Sequence, residues 1–137
     1  MGRITAEEYG TTTTRPGDFD EFWADNLARA ARIPLNASVE AIPLRSTEDV
    51  EVYEVKYDSL DHVRIACWYC LPRERRGKLP AVIHVPGYVS EPLMPKATAR
   101  KGYAALSVAP RGKLRSNAQF NPGYPGLLTH NITDRNT

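Results

Sequence analysis

Two short apolar runs, LPAVIHVPGY at 79–88 and YAALSVAPRG at 103–112, lack polar alternation and lie about one helix apart in the chain. A strand with one solvated face alternates, whereas an unalternated run is what a strand buried on both faces of a parallel sheet requires. The segment between them predicts a crossover helix to about Lys101, with Gly102 placed to stop it. Strand, helix and strand make a βαβ unit, which sets the fold class as α/β with a parallel sheet. It also brings the loops PGYVSEP and PRGKLRS to the carboxyl edge of the strands, where open α/β sheets bind ligands.

Upstream the period changes to two. VEVYEVKYDS alternates Val50, Val52 and Val55 with charged residues, the SLDH turn follows, and HVRIACWYCLP reads as a second strand, so an antiparallel hairpin is expected. This second strand holds the chain's two cysteines in CWYC, the spacing of thiol redox motifs and of half a zinc site. In an extended strand, Cys67 and Cys70 point to opposite faces, roughly 10 Å apart at about 3.3 Å per residue. A disulfide needs Cα atoms within about 7 Å, so the pair is expected to remain two packed, reduced thiols. Zinc lacks ligands as well, because no second CxxC accompanies the pair and His62, His84 and His130 are scattered.

Residues 1–14 read as an extended arm. DFDEFWADNLARAA places Asp18 as a helix cap with Glu21 three residues on. Phe19, Phe22, Trp23 and Leu27 form one apolar face, and Pro34 closes the segment. Such a face is expected to dock on a sheet rather than to serve as a ligand platform. In RERRGK, Glu74 sits among Arg73, Arg75, Arg76 and Lys78, which reads as a solvated loop rather than a phosphate site. The last 25 residues carry Gly, Pro and Asn at turn spacing without periodicity. A loop this long inside a compact domain usually carries function or awaits a partner.

The length of 137 residues suits one domain, and 42% hydrophobic with 25% charged residues and a net charge of +2 describe a globular chain without strong polarity toward nucleic acid or membrane. The start, MGRITAEEYGTTTTRPG, has no apolar signal region, and Ala6 stands where a myristoylation site needs Ser or Thr. A cytoplasmic location is expected, without nucleic-acid or membrane partners. No cofactor and no metal are called for.

RPGDFDEFW, VRIACWYCLP, LPAVIHVPGY and APRGKLRS, in that order, resemble the N-terminal half of the acetyl xylan esterase and cephalosporin C deacetylase family of α/β-hydrolases. The resemblance runs from about Arg15 to Thr137 and includes GLLTHNITDRNT, similar to a family segment before a tyrosine-rich helix. It implies a partial α/β-hydrolase domain over 15–137: N-terminal helix, antiparallel hairpin and first βαβ unit. It also implies hydrolysis of small acetyl esters of sugars by a Ser-His-Asp triad. That chemistry needs a serine on a strained G-x-S-x-G turn, and none of the six serines, Ser38, Ser46, Ser59, Ser90, Ser107 and Ser116, lies in one. The triad is therefore expected downstream of these residues, and the 137-residue chain alone is expected to be inactive.

One catalytic part is implied within the chain. In the family, the loop after an early strand supplies one oxyanion-hole donor, and the matching position here is the backbone NH of Tyr88, with Gly87 shaping the loop. Without the resemblance, PGY is equally a plain turn after a strand. Pro86 stands where the family usually has His, and Lys113 and Leu114 stand where it usually has Gln and Gly, departures that fit a divergent subgroup or a loss of activity. Arg111 is expected to anchor its loop rather than to bind substrate. The expected partners are a small acetylated sugar and either the chain's own C-terminal half or a second copy, because half a sheet leaves an unpaired strand. The reading from a different class is a short non-catalytic module derived from a hydrolase, in which the PGY loop holds an anion or a sugar.

Overall fold

A computed structural model of the protein describes residue 10 and residues 13–87, 90–111, 113, 115 and 116. The expected N-terminal arm, apart from Gly10, Thr13 and Thr14, and the terminal loop with His130 lie outside the described residues. The chain forms two compact units, Met1–Arg32 and Ile33–Thr137.

The first unit holds helix α1, Phe19–Ala31. Asp18 is its N-cap residue, but its side chain makes no capping hydrogen bond. The first turn is fixed instead by Phe22 N–H donating to Asp18 O at 2.9 Å and by an ion pair between Arg15 and Asp20. Phe19, Phe22 and Trp23 pack on one another, with ring centroids 6.2 Å and 5.7 Å from Trp23, and the Arg15 guanidinium lies 4.4 Å over the Phe19 ring.

The second unit is built on a five-stranded sheet. Its strands are β1 (Ser38–Ala41), β2 (Val50–Asp58), β3 (Arg64–Pro72), β4 (Ala81–His84) and β5 (Ala104–Ala109), in the order β1-β2-β3-β5-β4. The expected hairpin is β2 and β3, antiparallel in register from Val50 opposite Pro72 to Asp58 opposite Arg64. Its turn is a 3-10 turn, Leu60–His62, in which Asp61 (φ 57°) and His62 (φ 56°) occupy the left-handed region. β4 and β5 are parallel, and β5 pairs antiparallel with β3, so the expected hairpin and the expected parallel pair join in one mixed sheet.

Strand alternation sorts the core onto two faces. Cys70 packs with Val50, Val52 and Ala99, against which Trp68 and Met94 lie. Cys67 packs with Val63 and Ile65, backed by Val55, Tyr57, Leu106 and Val108. The two cysteines are thus free, buried and on opposite faces, as strand geometry requires.

Two expectations need correction. The run 79–88 is not a strand buried on both faces. β4 covers only four residues and occupies the sheet edge, paired on one side, with Ile83 65% exposed and Val85 74% exposed. The crossover is not a full helix either, since among its described residues only α2, Lys96–Ala99, is helical. Pro92 and Pro95 remove backbone donors upstream and confine the helix to one turn. Gly102, at φ 89°, does stop it, with its N–H donating to Ala99 O at 2.9 Å. β1, with all four residues exposed, had no apolar pattern by which to be found.

Ion pairs frame the sheet. Arg100 meets Asp49 at 2.6 Å, Arg75 meets Glu51 at 2.6 Å, and Arg64 meets Asp58 at 2.8 Å. The basic loop after β3 is therefore tied back onto β2. The hydrogen bond from Arg100, aided by Thr47, lowers the Asp49 carboxyl to about 2. Arg75 and then Tyr53 lower Glu51, and Asn36 and then Arg64 lower Asp58.

These groups bind protons more weakly when folded than when unfolded, so their stabilisation is complete above the unfolded values of 3.8 for Asp and 4.5 for Glu and fades as pH falls toward about 2. Urea midpoints are expected to drop across that window and to drop less in Asp49→Asn; a flat profile would refute the assignment. Burial pushes the Cys70 thiol up to about 11 and raises Cys67 also. A thiol reagent at about pH 8 is expected to label neither cysteine until the protein unfolds, and mild oxidation to yield no Cys67–Cys70 disulfide.

Candidate functional site

The loops after β4 and β5 do meet, at the carboxyl end of the parallel pair. Beside them lies a groove of about 390 Å³ bounded by His84, Gly87, Ser90, Leu93, Thr98 and Ser107. His84 and Ser107 are register partners on adjacent strands, so their side chains share one face at the groove. His84 Nε2 is 3.0 Å from Thr98 Oγ1, which engages the ring with the crossover rather than with a serine. Gly87 is exposed, and a Cβ built on it would meet Ser90 Oγ at 3.4 Å, so the glycine keeps the loop surface bare at that point. Tyr88, the expected donor, and Leu114 lie outside the described residues.

The loop after β5 is held from three directions. Arg111 donates to Asp61 Oδ2 from both terminal nitrogens at 3.1 Å and to Leu60 O at 2.7 Å, fixing β5's exit to the hairpin turn and holding Asp61 in its left-handed conformation. This is the anchoring role that the sequence assigned to Arg111. The Arg115 guanidinium lies over the Trp68 ring, 3.4 Å from its centroid, and pairs with Glu54. Burial alone would raise the Glu54 carboxyl, but Lys56 and then Arg115 outweigh it and the net shift is downward.

Ser116 makes the third attachment. Its buried hydroxyl accepts from Ala66 N–H at 2.9 Å and donates to Ala109 O. Ala66 and Ala109 are register partners at the end of the β3–β5 ladder, so Ser116 bridges the two strands at that end. Nothing in the spacing of the serines distinguished Ser116 from the other five.

Lys113 joins the two loops. Its side chain is buried, 4% exposed, and Nζ donates to Ser90 O at 2.7 Å and reaches Gly87 O at 3.4 Å. An ammonium presents three donors to surrounding carbonyl dipoles, which is how its burial is tolerated. The sequence had marked Lys113 only as a departure from an expected Gln. Among the described residues, no three His, Cys, Asp or Glu side chains come together as a metal-ligand set, and no helix is long and apolar enough to cross a membrane.

The family model for acetyl xylan esterase (AXE1) matches residues 4–137. The chain is 28% identical over 138 residues to the acetyl esterase Axe7A of Xylanibacter ruminicola, covering 90% of this chain and 30% of that protein. Among solved structures, it is similar to an acetyl xylan esterase from Paenibacillus sp. R4, with a TM-score of 0.69 and 30% identity over 78% of this chain and 35% of that one. Acetyl xylan esterase 1 from Thermoanaerobacterium sp. JW/SL YS485 shares the fold at a TM-score of 0.67 and 24% identity, over 77% of this chain and 34% of that one. The chain thus spans about a third of the length of these relatives.

Replacing Ser116 by Ala strips two buried backbone groups of their partner together, so Ser116→Ala is expected to cost about 2–4 kcal/mol, at about 1–3 for each group. In urea the midpoint should fall while the slope m stays constant. A loss under about 0.5 kcal/mol would show that the rung is dispensable.

Proposed function

The chain belongs to the acetyl xylan esterase family, and from that premise we propose that it is the N-terminal part of a serine esterase that removes acetyl groups from sugars. In that reaction a serine Oγ adds to the acetyl carbon while a histidine takes its proton, and the carbonyl oxygen becomes an oxyanion. Collapse expels the sugar alcohol, protonated by the histidine. Water then attacks the acyl-serine in the same way and releases acetate.

The part assigned to these residues is one side of the oxyanion hole, the backbone NH at Tyr88 on the loop that Gly87 opens. A single such donor is worth about 3 kcal/mol of barrier, because it is already aimed where charge develops. The observation that carries the reading is the junction of the loops after β4 and β5 at the carboxyl end of the parallel pair, beside an open groove. Nucleophile, base and orienting carboxylate are assigned to sequence following Thr137, since no G-x-S-x-G occurs within the 137 residues. The bare edge of β4, with Ile83 and Val85 exposed, supports continuation of the sheet there, either by that following sequence or by a second copy.

Reading the coding sequence past the codon for Thr137 is the test. The frame is expected to continue through G-x-S-x-G followed by Asp and His. The extended protein is expected to deacetylate 4-nitrophenyl acetate and acetylated xylo-oligosaccharides, while residues 1–137 alone do neither. A stop codon at that point would overturn the assignment and favour a binding module, whereas full activity in residues 1–137 would overturn the placement of the triad after Thr137.

A further inference from the structure

We propose that Arg115 is a docking point between this part of the protein and the sequence that follows Thr137, and that it receives a carboxylate from that sequence. The inference rests on the reading that the chain continues, and it names one contact made by the continuation. It starts from a guanidinium that is held in place. The group lies 3.4 Å from the centroid of the Trp68 ring, and its Nη2 donates to Glu54 Oε1. The backbone on either side is fixed as well, with Lys113 N–H donating to Pro110 O and Ser116 N–H to Lys113 O, both at 3.0 Å. A guanidinium is a rigid planar fork, so the ring contact and the Glu54 bond together decide where Nη1 sits. Among the described residues, Nη1 of Arg115 is the one buried side-chain polar atom without a hydrogen-bond partner. Turning it out to water would break the Glu54 bond or lift the cation off the Trp68 ring.

The surrounding charges select the kind of partner. Both oxygens of Glu54 are engaged, Oε1 by Arg115 Nη2 and Oε2 by Lys56 Nζ at 2.5 Å, so two cations share one carboxylate. Glu40, the register neighbour of Glu54 on β1, is exposed, where water screens its charge. A buried cation with a bare donor loses hydration without a bond in exchange, and in a native structure such an atom calls for an acceptor. An excess of one positive charge favours an anion, and a carboxylate forms a charge-assisted bond with a guanidinium nitrogen. The chain spans about a third of the length of its relatives, so most acceptors of a complete protein lie beyond it. Arg115 belongs to the loop after β5, which meets the loop after β4 through Lys113. A carboxylate on Nη1 therefore seats the following sequence against the carboxyl edge of the parallel pair.

The test is a crystal structure of the full-length protein, read at Arg115 Nη1, together with urea unfolding of Arg115→Met and Arg115→Lys. The structure is expected to place an Asp or Glu oxygen from beyond Thr137 within about 3.2 Å of Nη1. Arg115→Met is expected to lower the urea midpoint by about 1–2 M, because it leaves carboxylates buried and unpaired. Arg115→Lys should lower it by roughly half as much, since an ammonium does not reproduce the fork that serves two carboxylates. Changing the partner carboxylate to its amide in the Arg115→Met background is expected to recover part of the loss, the sign of a coupled pair. Additive losses overturn the inference, as does a water, an acceptor from residues 1–137 or no acceptor at Nη1. If Arg115→Met fails to fold, Arg115→Lys with the same amide change gives the comparison. The reading of a longer chain fails on different evidence: a stop codon after Thr137 removes it and this inference together, whereas a water on Nη1 in an active full-length enzyme removes the docking contact alone.

Discussion

The pairing of β3 with β5 is the contact on which the second unit depends. β1, β2 and β3 form an antiparallel set whose neighbours are close in sequence, and β4 joins the sheet through β5. The rungs between Ala66–Cys70 and Ala105–Ala109 link these two parts, and they bring together residues about 40 positions apart. Closing so long a loop is entropically costly, and the return comes from burial on both faces at once. Small residues make the close approach feasible: Ala66, Cys70, Ala105, Ser107 and Ala109 are all buried. Once β5 is placed, the position of β4 and the meeting of both loops at one edge follow.

Much of this frame was legible because period two is a local signal. The hairpin turn, the opposite orientation of Cys67 and Cys70, and the parallel relation of β4 to β5 all follow from alternation, or its lack, within ten-residue windows. The errors fall where a neighbour decides. An apolar run such as AVIH reads as buried in any sheet that continues past it, yet among the described residues β4 is paired on one side only and Ile83 is exposed. β1 was invisible for the converse reason, since SVEA earns its place only by pairing with β2, Val39 opposite Val55. The crossover failed on prolines, whose missing N–H groups outweigh an otherwise helical composition.

At the site, the sequence located the loops but not what holds them. Arg111 was read as an anchor, and its fork does span Leu60 and Asp61 at the hairpin turn. Ser116 and Lys113 act through backbone atoms of residues distant in sequence, Ala66 and Ala109 for one, Gly87 and Ser90 for the other. Contacts of a side chain with backbone leave no pattern in side-chain identity, because every residue offers a carbonyl. The departure from an expected Gln was the one mark Lys113 left.

Stability does not account for a lysine in that place. Burying an ammonium forfeits hydration, and apolar replacements of buried ionic groups are often neutral or stabilising, so an ion in a core is weak evidence that the core needs it. What an apolar side chain cannot do is bind two carbonyl oxygens and fix the planes of their peptides. The loop after β4 carries Pro86 and Gly87 side by side, one residue with its φ already set and one with the widest choice of φ. Lys113 reaches this loop, with Ser90 O at 2.7 Å, from a stem that Pro110 and Ser116 already hold to the sheet. Rigidity at this edge therefore runs from the β3–β5 ladder through Ser116 and Lys113 to the loop.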